Sequence, residues 1–96
     1  MESKARILKY QPEIKEDGTI FIDIPKQSRL LNVDYQNYKL TFWICVNDSY
    51  EKNGKNFKMV ATGEYVPEIG HQFVKTVFIE GYVWHIWEHR YNKRDS

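Results

Sequence analysis

The stretch Gly81-Tyr82-Val83-Trp84-His85-Ile86-Trp87-Glu88-His89-Arg90 decides the fold, because it can be read in two ways. On a helix it spells His-x-x-Glu-His, a zinc-hydrolase signature that needs His85 and His89 on one ion. On a strand the same two histidines share a face but stand about 13 Å apart at roughly 3.3 Å per residue. That is too far for a single zinc with bonds of about 2 Å. The strand is favoured: the segment follows a glycine turn, is rich in Tyr, Val, Trp and Ile, and completes a hairpin with residues 71–80. Val83, His85, Trp87 and His89 then occupy one face, and Tyr82, Trp84, Ile86, Glu88 and Arg90 the other. Neither face is purely apolar. This fits a strand covered on one side by core and on the other by a ligand or a second subunit. The plainer alternative is a core histidine bonded to a neighbour beside a surface Glu88–Arg90 ion pair.

Outward from this segment the period stays at two. Ile20, Ile22 and Ile24 alternate with Thr19, Phe21 and Asp23, and Pro25 ends the run. Tyr38, Leu40, Phe42, Ile44 and Val46 point one way, and Lys39, Thr41, Trp43, Cys45 and Asn47 the other. Phe57, Met59 and Ala61 alternate with Lys58, Val60 and Thr62, and residues 72–80 are rich in Val, Phe and Thr. Gln36-Asn37 and Glu80-Gly81 are short enough to close hairpins, and Asp17-Gly18 is a turn that precedes a strand. Residues 48–56 form the longest loop, and 66–70 a second irregular connection. Strands are expected at about 6–11, 19–25, 29–36, 38–47, 56–64, 71–80 and 82–90. No ten-residue stretch has helical periodicity. The expectation is an all-β, single-domain antiparallel barrel or sandwich of about seven strands over residues 1–96, its ordered core at about 6–90 and a short basic tail at 91–96.

The composition excludes several classes. A formal net charge of +1, from 14 Lys+Arg against 13 Asp+Glu, is not the basic excess of a protein that grips long nucleic acid. The basic cluster Arg90, Lys93 and Arg94 reads as a solvated tail. The single Cys45 has no disulfide partner, and no Cys/His spacing suits structural zinc. The N-terminus does not read as a signal peptide, and no apolar run approaches membrane-spanning length. A soluble protein of a reducing cytoplasm is expected. At 96 residues a monomer would be modestly stable, so a shared interface would help. Aromatics make up 16%, which suits either binding surfaces or strand formation.

Catalytic patterns are weak. Ser28 and Ser49 lie in polar loops without an elbow motif, Cys45 lacks an activating partner, and Asp23, Asp34 and Asp48 form no metal-ligand pattern. Thr62-Gly63-Glu64 lacks the strand–loop–helix setting of a phosphate loop, and Gly63 marks a bulge or a close backbone approach, by protein or by ligand. No enzyme activity, metal or cofactor is expected. Lys9 suits a phosphate and Tyr10 a stacking platform, with a solvated lysine and a core tyrosine as the plain alternatives. Exposed rings with isolated cations fit a binder of aromatic, phosphorylated ligands.

Five motifs in order carry a resemblance: Ile7-Leu8-Lys9-Tyr10, Ile24-Pro25, Leu40-Thr41-Phe42-Trp43, Ala61-Thr62-Gly63 and Val83-Trp84-His85-Ile86-Trp87-Glu88. Together they resemble a widespread group of small bacteriophage and prophage proteins, largely a domain of unknown function, over roughly residues 6–89. Small phage β proteins of this kind resemble the viral sponges that oligomerise and sequester the cyclic nucleotides of CBASS defence without cleaving them. The resemblance implies a non-enzymatic, homo-oligomeric binder of a cyclic di- or trinucleotide in the host bacterial cytoplasm. Lys9 and Arg90 would neutralise phosphates. Tyr10, Trp43 and Trp87 would stack on bases, with hydrogen bonds from His85 and Thr62 beside Gly63. Glu64 departs from the pattern, standing where a histidine is common, and would repel phosphate. The loop 48–56 and the basic tail look like additions. Rival readings are an inhibitor that binds a host or defence protein through an aromatic patch or sheet edge, a small nucleotide hydrolase, and a minor virion component.

Overall fold

Alternation of apolar and polar side chains produces seven strands in the computed structural model, which describes residues 4–66 and 70–90. They are β1 (Ala5–Tyr10), β2 (Thr19–Ile22), β3 (Arg29–Gln36), β4 (Lys39–Asn47), β5 (Lys55–Ala61), β6 (His71–Ile79) and β7 (Tyr82–His89). The expected all-β class holds, and among the described residues there is no helix. The strands form two sheets, ordered β1-β4-β3 and β2-β5-β7-β6, and neither closes on itself in strand order. The chain divides into two compact units, Met1–Glu13 with Phe21–Lys55 and Ile14–Ile20 with Asn56–Ser96. Residues 67–69 of the expected second irregular connection, and the basic tail with Lys93 and Arg94, lie outside the described residues.

In the first unit β4 is the central strand, antiparallel to both β1 and β3. Leu40, Phe42, Ile44 and Val46 are buried along one face as the alternation demands, with Val33 buried opposite Phe42. Each such side chain contributes about 1.5–3 kcal/mol through burial. Two expectations on this strand fail. Tyr38, placed with the buried set, is 84% exposed. The hairpin closes one residue later than the sequence suggests, through Asn37-Tyr38 between the paired Gln36 and Lys39. Both turn residues have positive φ (52° and 67°), as a two-residue turn matching strand twist requires, and this turns Tyr38 out of the alternation. Thr41, placed on the opposite face to the buried set, is itself 0% exposed. Its hydroxyl accepts from Gln11 Nε2 and donates to the Lys39 carbonyl, each at 3.1 Å, so its burial is satisfied.

The long 48–56 loop is held at both ends. Asn53 and Gly54 both donate backbone N–H groups to the Ile24 carbonyl (2.9 and 3.0 Å), and Lys26 pairs with Glu51 at 2.9 Å. Arg6 pairs with Asp48 at 2.7 Å. These ion pairs are exposed and worth little individually. Tyr10 stands opposite Phe42, and burial first, then the negative charges of Asp48 and Asp23, push its hydroxyl above the ordinary value.

In the second unit β7 lies between β5 and β6, antiparallel to both. Ile86 is 0% exposed, and Met59 opposite it is also buried, as are Phe57 and Val77. Val60, on the other face of β5, is buried too, so this strand departs from clean alternation. Glu80-Gly81 closes the β6–β7 hairpin with both φ angles positive (47° and 90°), as expected. Gly18 completes the turn before β2 at φ 87°, and a Cβ there would stand 2.6 Å from the Met59 carbonyl oxygen. The close approach allows Met59 N–H to donate to the Gly18 carbonyl at 2.9 Å. Asp17 secures the same turn by accepting from the Thr19 hydroxyl (2.7 Å) and N–H (3.0 Å), which hold its carboxyl below the ordinary carboxylate range.

Candidate functional site

On β7 Ile86 alone is fully buried; Trp84 and Glu88 of its face are half-buried and Tyr82 is exposed. Val83, His85, Trp87 and His89, on the other face, are half-buried too. What stands beside them depends on a bulge in β6. From Ile79–Tyr82 back to Lys75–Ile86 the hairpin pairs residue for residue, and then the register shifts between Phe73 and Lys75. A slip of one residue moves every later side chain to the opposite face. It sets Phe73 opposite Trp87 and His71 opposite His89, where an unbulged strand would have placed Val74 and Gln72.

Phe73 and Trp87 meet edge to face, with centroids 5.5 Å apart and planes at 73°. Such pairs are worth about 0.5–1.5 kcal/mol beyond their buried area. They form part of the wall of a groove of about 290 Å³, with Val60, Thr62, Gly63, Glu64 and His85 among its other lining residues. The Trp87 Nε1 atom is buried without a hydrogen-bond acceptor among the described residues. Leaving a buried donor unsatisfied costs about 1–3 kcal/mol.

One end of the groove is a turn that follows β5. Glu64 N–H donates to the Ala61 carbonyl (3.0 Å), and Ala61 N–H donates to Glu64 Oε1 (2.9 Å), so the carboxylate is tied to the turn. Gly63 has φ 99°, and a Cβ there would meet nothing within 4 Å. Its glycine therefore serves the turn, and no close approach by the protein itself requires it. Thr62 and Thr76 hold the His85 ring between them, with Thr62 Oγ1 at 2.9 Å from Nε2 and Thr76 Oγ1 at 2.9 Å from Nδ1. Thr62 N–H also donates to the Val83 carbonyl at 3.2 Å, and its hydroxyl lies 3.4 Å from the same oxygen. Both imidazole nitrogens are thus engaged by hydroxyls that can donate or accept. The histidine fixes the wall of the groove.

Thr62, Gly63, His85 and Trp87 therefore come together as the sequence suggests, and Phe73 joins them. The other expected ligand residues are placed differently. Lys9 and Trp43 face each other across β1 and β4 in the first unit, and half-buried Tyr10 follows on the opposite side of β1 beside Phe42. Arg90, just past β7, donates from its guanidinium to the Gln72 side chain and from its N–H to the Gly70 carbonyl. Phe73 could not be singled out from the sequence, because only the bulge puts it against Trp87.

Among the described residues, no group of three or more His, Cys, Asp or Glu is placed to share a metal ion. None of them forms a helix long and apolar enough to cross a membrane. Residues 3–95 match the family described as a domain of unknown function, DUF7352, and the chain belongs to that family. No curated protein and no solved structure matches it.

Proposed function

We propose that this DUF7352 member is a phage-encoded, non-enzymatic binder that captures a nucleotide of the cyclic di- or trinucleotide class and so sequesters an immune signal of its bacterial host. The observation that carries this reading is the groove walled by Trp87 and Phe73; the Trp87 Nε1 atom is buried and has no acceptor among the described residues. Its volume lies near the lower bound of small-molecule sites, about 300–1,000 Å³, and suits one base with its sugar. Base–aromatic stacking contributes on the order of 1–3 kcal/mol per base. A base carries ring nitrogens or carbonyl oxygens, and an acceptor that reached Trp87 Nε1 would recover the cost of the buried donor. Phe73 is 48% exposed beside the bulge and has room to move.

The groove takes one base. A cyclic dinucleotide would then engage two copies, which accords with the homo-oligomer implied by the resemblance. Glu64 at the rim favours a pose in which the phosphates lie away from the turn. Incubating the pure protein with a panel of cyclic and linear nucleotides, then heating it and analysing the released fraction, tests this reading. Intact cyclic nucleotide should be recovered in fixed ratio to protein. Absence of retention, or recovery of cleaved product, would sink it.

A second reading draws on the exposed Tyr65, Val66 and Phe78 of the same unit, as side chains that dock a host defence protein. It expects co-purification of a protein partner whose binding survives Trp87→Ala and is indifferent to nucleotides.

A further inference from the structure

We infer that His71 and His89 form a two-histidine site for a divalent transition metal, of the class represented by Zn²⁺ and Cu²⁺. The same-strand pair His85 and His89 is too widely spaced to share an ion, but His89 has a second histidine directly across the sheet. The two rings stand 4.7 Å apart between centroids, with planes at 69°. Two imidazoles that each bind one ion at about 2.0–2.1 Å, with a nitrogen–metal–nitrogen angle of about 90–110°, have centroids roughly 4.5–5.2 Å apart. The observed separation falls inside that window, and rotation about the side-chain bonds would aim one nitrogen of each ring at a shared ion.

The backbone around the pair is held in place. Arg90 N–H donates to the Gly70 carbonyl, and the Arg90 guanidinium donates to the Gln72 side chain, one residue beyond each histidine. Both imidazoles are half-buried, so their orientation is restrained while the outer side stays open to solvent. Imidazole pairs suit zinc and copper among the available divalent ions, with copper favoured by the general order of affinities. Two protein ligands leave coordination positions for water or for an oxygen of a bound molecule. The next cross-strand pair on this face is Phe73–Trp87, about 7 Å away at 3.3–3.4 Å per residue. A cation here would supply positive charge beside a groove whose lining residues include no Lys or Arg. This last step rests on the nucleotide reading, whereas the metal site does not.

The test is calorimetric titration of the metal-free full chain with Zn²⁺ and, separately, Cu²⁺, with no nucleotide present. One saturable equivalent per chain is expected, together with a rise in the thermal midpoint. Both effects should be lost in His71→Ala and in His89→Ala and kept in His85→Ala. The urea midpoints of the variants without metal identify any that fail to fold, and His71→Gln and His89→Gln then take their place. No saturable binding by the wild type, or binding that survives both single substitutions, overturns the site. In a second arm, nucleotide retention is measured with Zn²⁺ and with chelator. Equal retention in the two conditions removes the coupling to the groove. If metal binds and no nucleotide does, the failure belongs to the proposed function alone.

Discussion

β4 and β7 are both inner strands, each antiparallel to its two neighbours, yet their side chains are used differently. β4 buries Leu40, Phe42, Ile44 and Val46 along one face, and Thr41 on the other. β7 fully buries only Ile86 and keeps Val83, Trp84, His85, Trp87, Glu88 and His89 half-covered. Each strand carries a half-buried tryptophan on the face away from its buried aliphatic residues, Trp43 on β4 and Trp87 on β7, so the two differ in how much core they hold. The first strand is therefore specialised for holding its unit together. The second fully buries Ile86 alone and presents aromatic and hydrogen-bonding groups beside the groove.

The largest effects should appear where the two strands agree. Ile44→Ala and Ile86→Ala each remove a fully buried side chain and should cost about 2–5 kcal/mol in urea unfolding. A value below 1 kcal/mol for Ile86→Ala would mean that β7 does not carry core.

The strands should part company at their tryptophans. Trp87→Ala should weaken nucleotide binding by about 5- to 150-fold, the equivalent of one lost stack of about 1–3 kcal/mol, while Trp43→Ala changes it less than about threefold. Isothermal titration of both variants reads this directly, and a reversed order would move the site to the Lys9–Trp43 row.

Smaller again is the effect of Thr62→Val, which takes the hydroxyl partner from His85 Nε2 and should cost about 1 kcal/mol of stability. Equal stability of this variant and the wild type would show that the Thr62–His85–Thr76 arrangement does not hold the groove wall.

The smallest differences are those of pH, and they have opposite signs in the two units. Tyr10 has its hydroxyl raised, so its contribution is complete below the ordinary tyrosine value of about 10 and is lost as pH rises through the higher folded value. Asp17 is lowered, so its contribution is present above the ordinary aspartate value of about 3.9 and is lost as pH falls through the lower folded one. Urea midpoints across pH should therefore lose their alkaline decline in Tyr10→Phe and part of their acid decline in Asp17→Asn. Unchanged profiles would contradict these assignments.

Period-two alternation was enough to place all seven strands to within about three residues at each end, because each sheet buries one face and that face must be apolar. It also rejected the zinc helix at His85–His89. Three kinds of feature lay beyond it. The exact hairpin closure at Asn37-Tyr38 depends on which two residues tolerate positive φ, and tyrosine gives no such signal. The burial of Thr41 depends on Gln11, thirty residues away in sequence. The β6 bulge exchanges Val74 and Gln72 for Phe73 and His71 on the groove face, and nothing in the local pattern of residues 71–79 announces an extra residue. Thr62, Gly63, His85 and Trp87, four of the residues expected to bind ligand, line the groove, but their sequence pattern did not mark them off from the others. Lys9, Tyr10 and Trp43 were added on residue type alone, and they lie on other strands, in the first unit.

The central claim is that a nucleotide base docks on the open face of β7 at Trp87. The direct measurement is the set of tryptophan indole N–H signals in a nitrogen-15 correlation spectrum, assigned with Trp43→Phe, Trp84→Phe and Trp87→Phe, during titration with a cyclic dinucleotide. The Trp87 signal should move and saturate, because its N–H exchanges a bare buried setting for an acceptor, while the Trp43 signal stays in place. A stationary Trp87 signal at ligand concentrations that saturate binding, or a shift confined to Trp43, would contradict the assignment of the site.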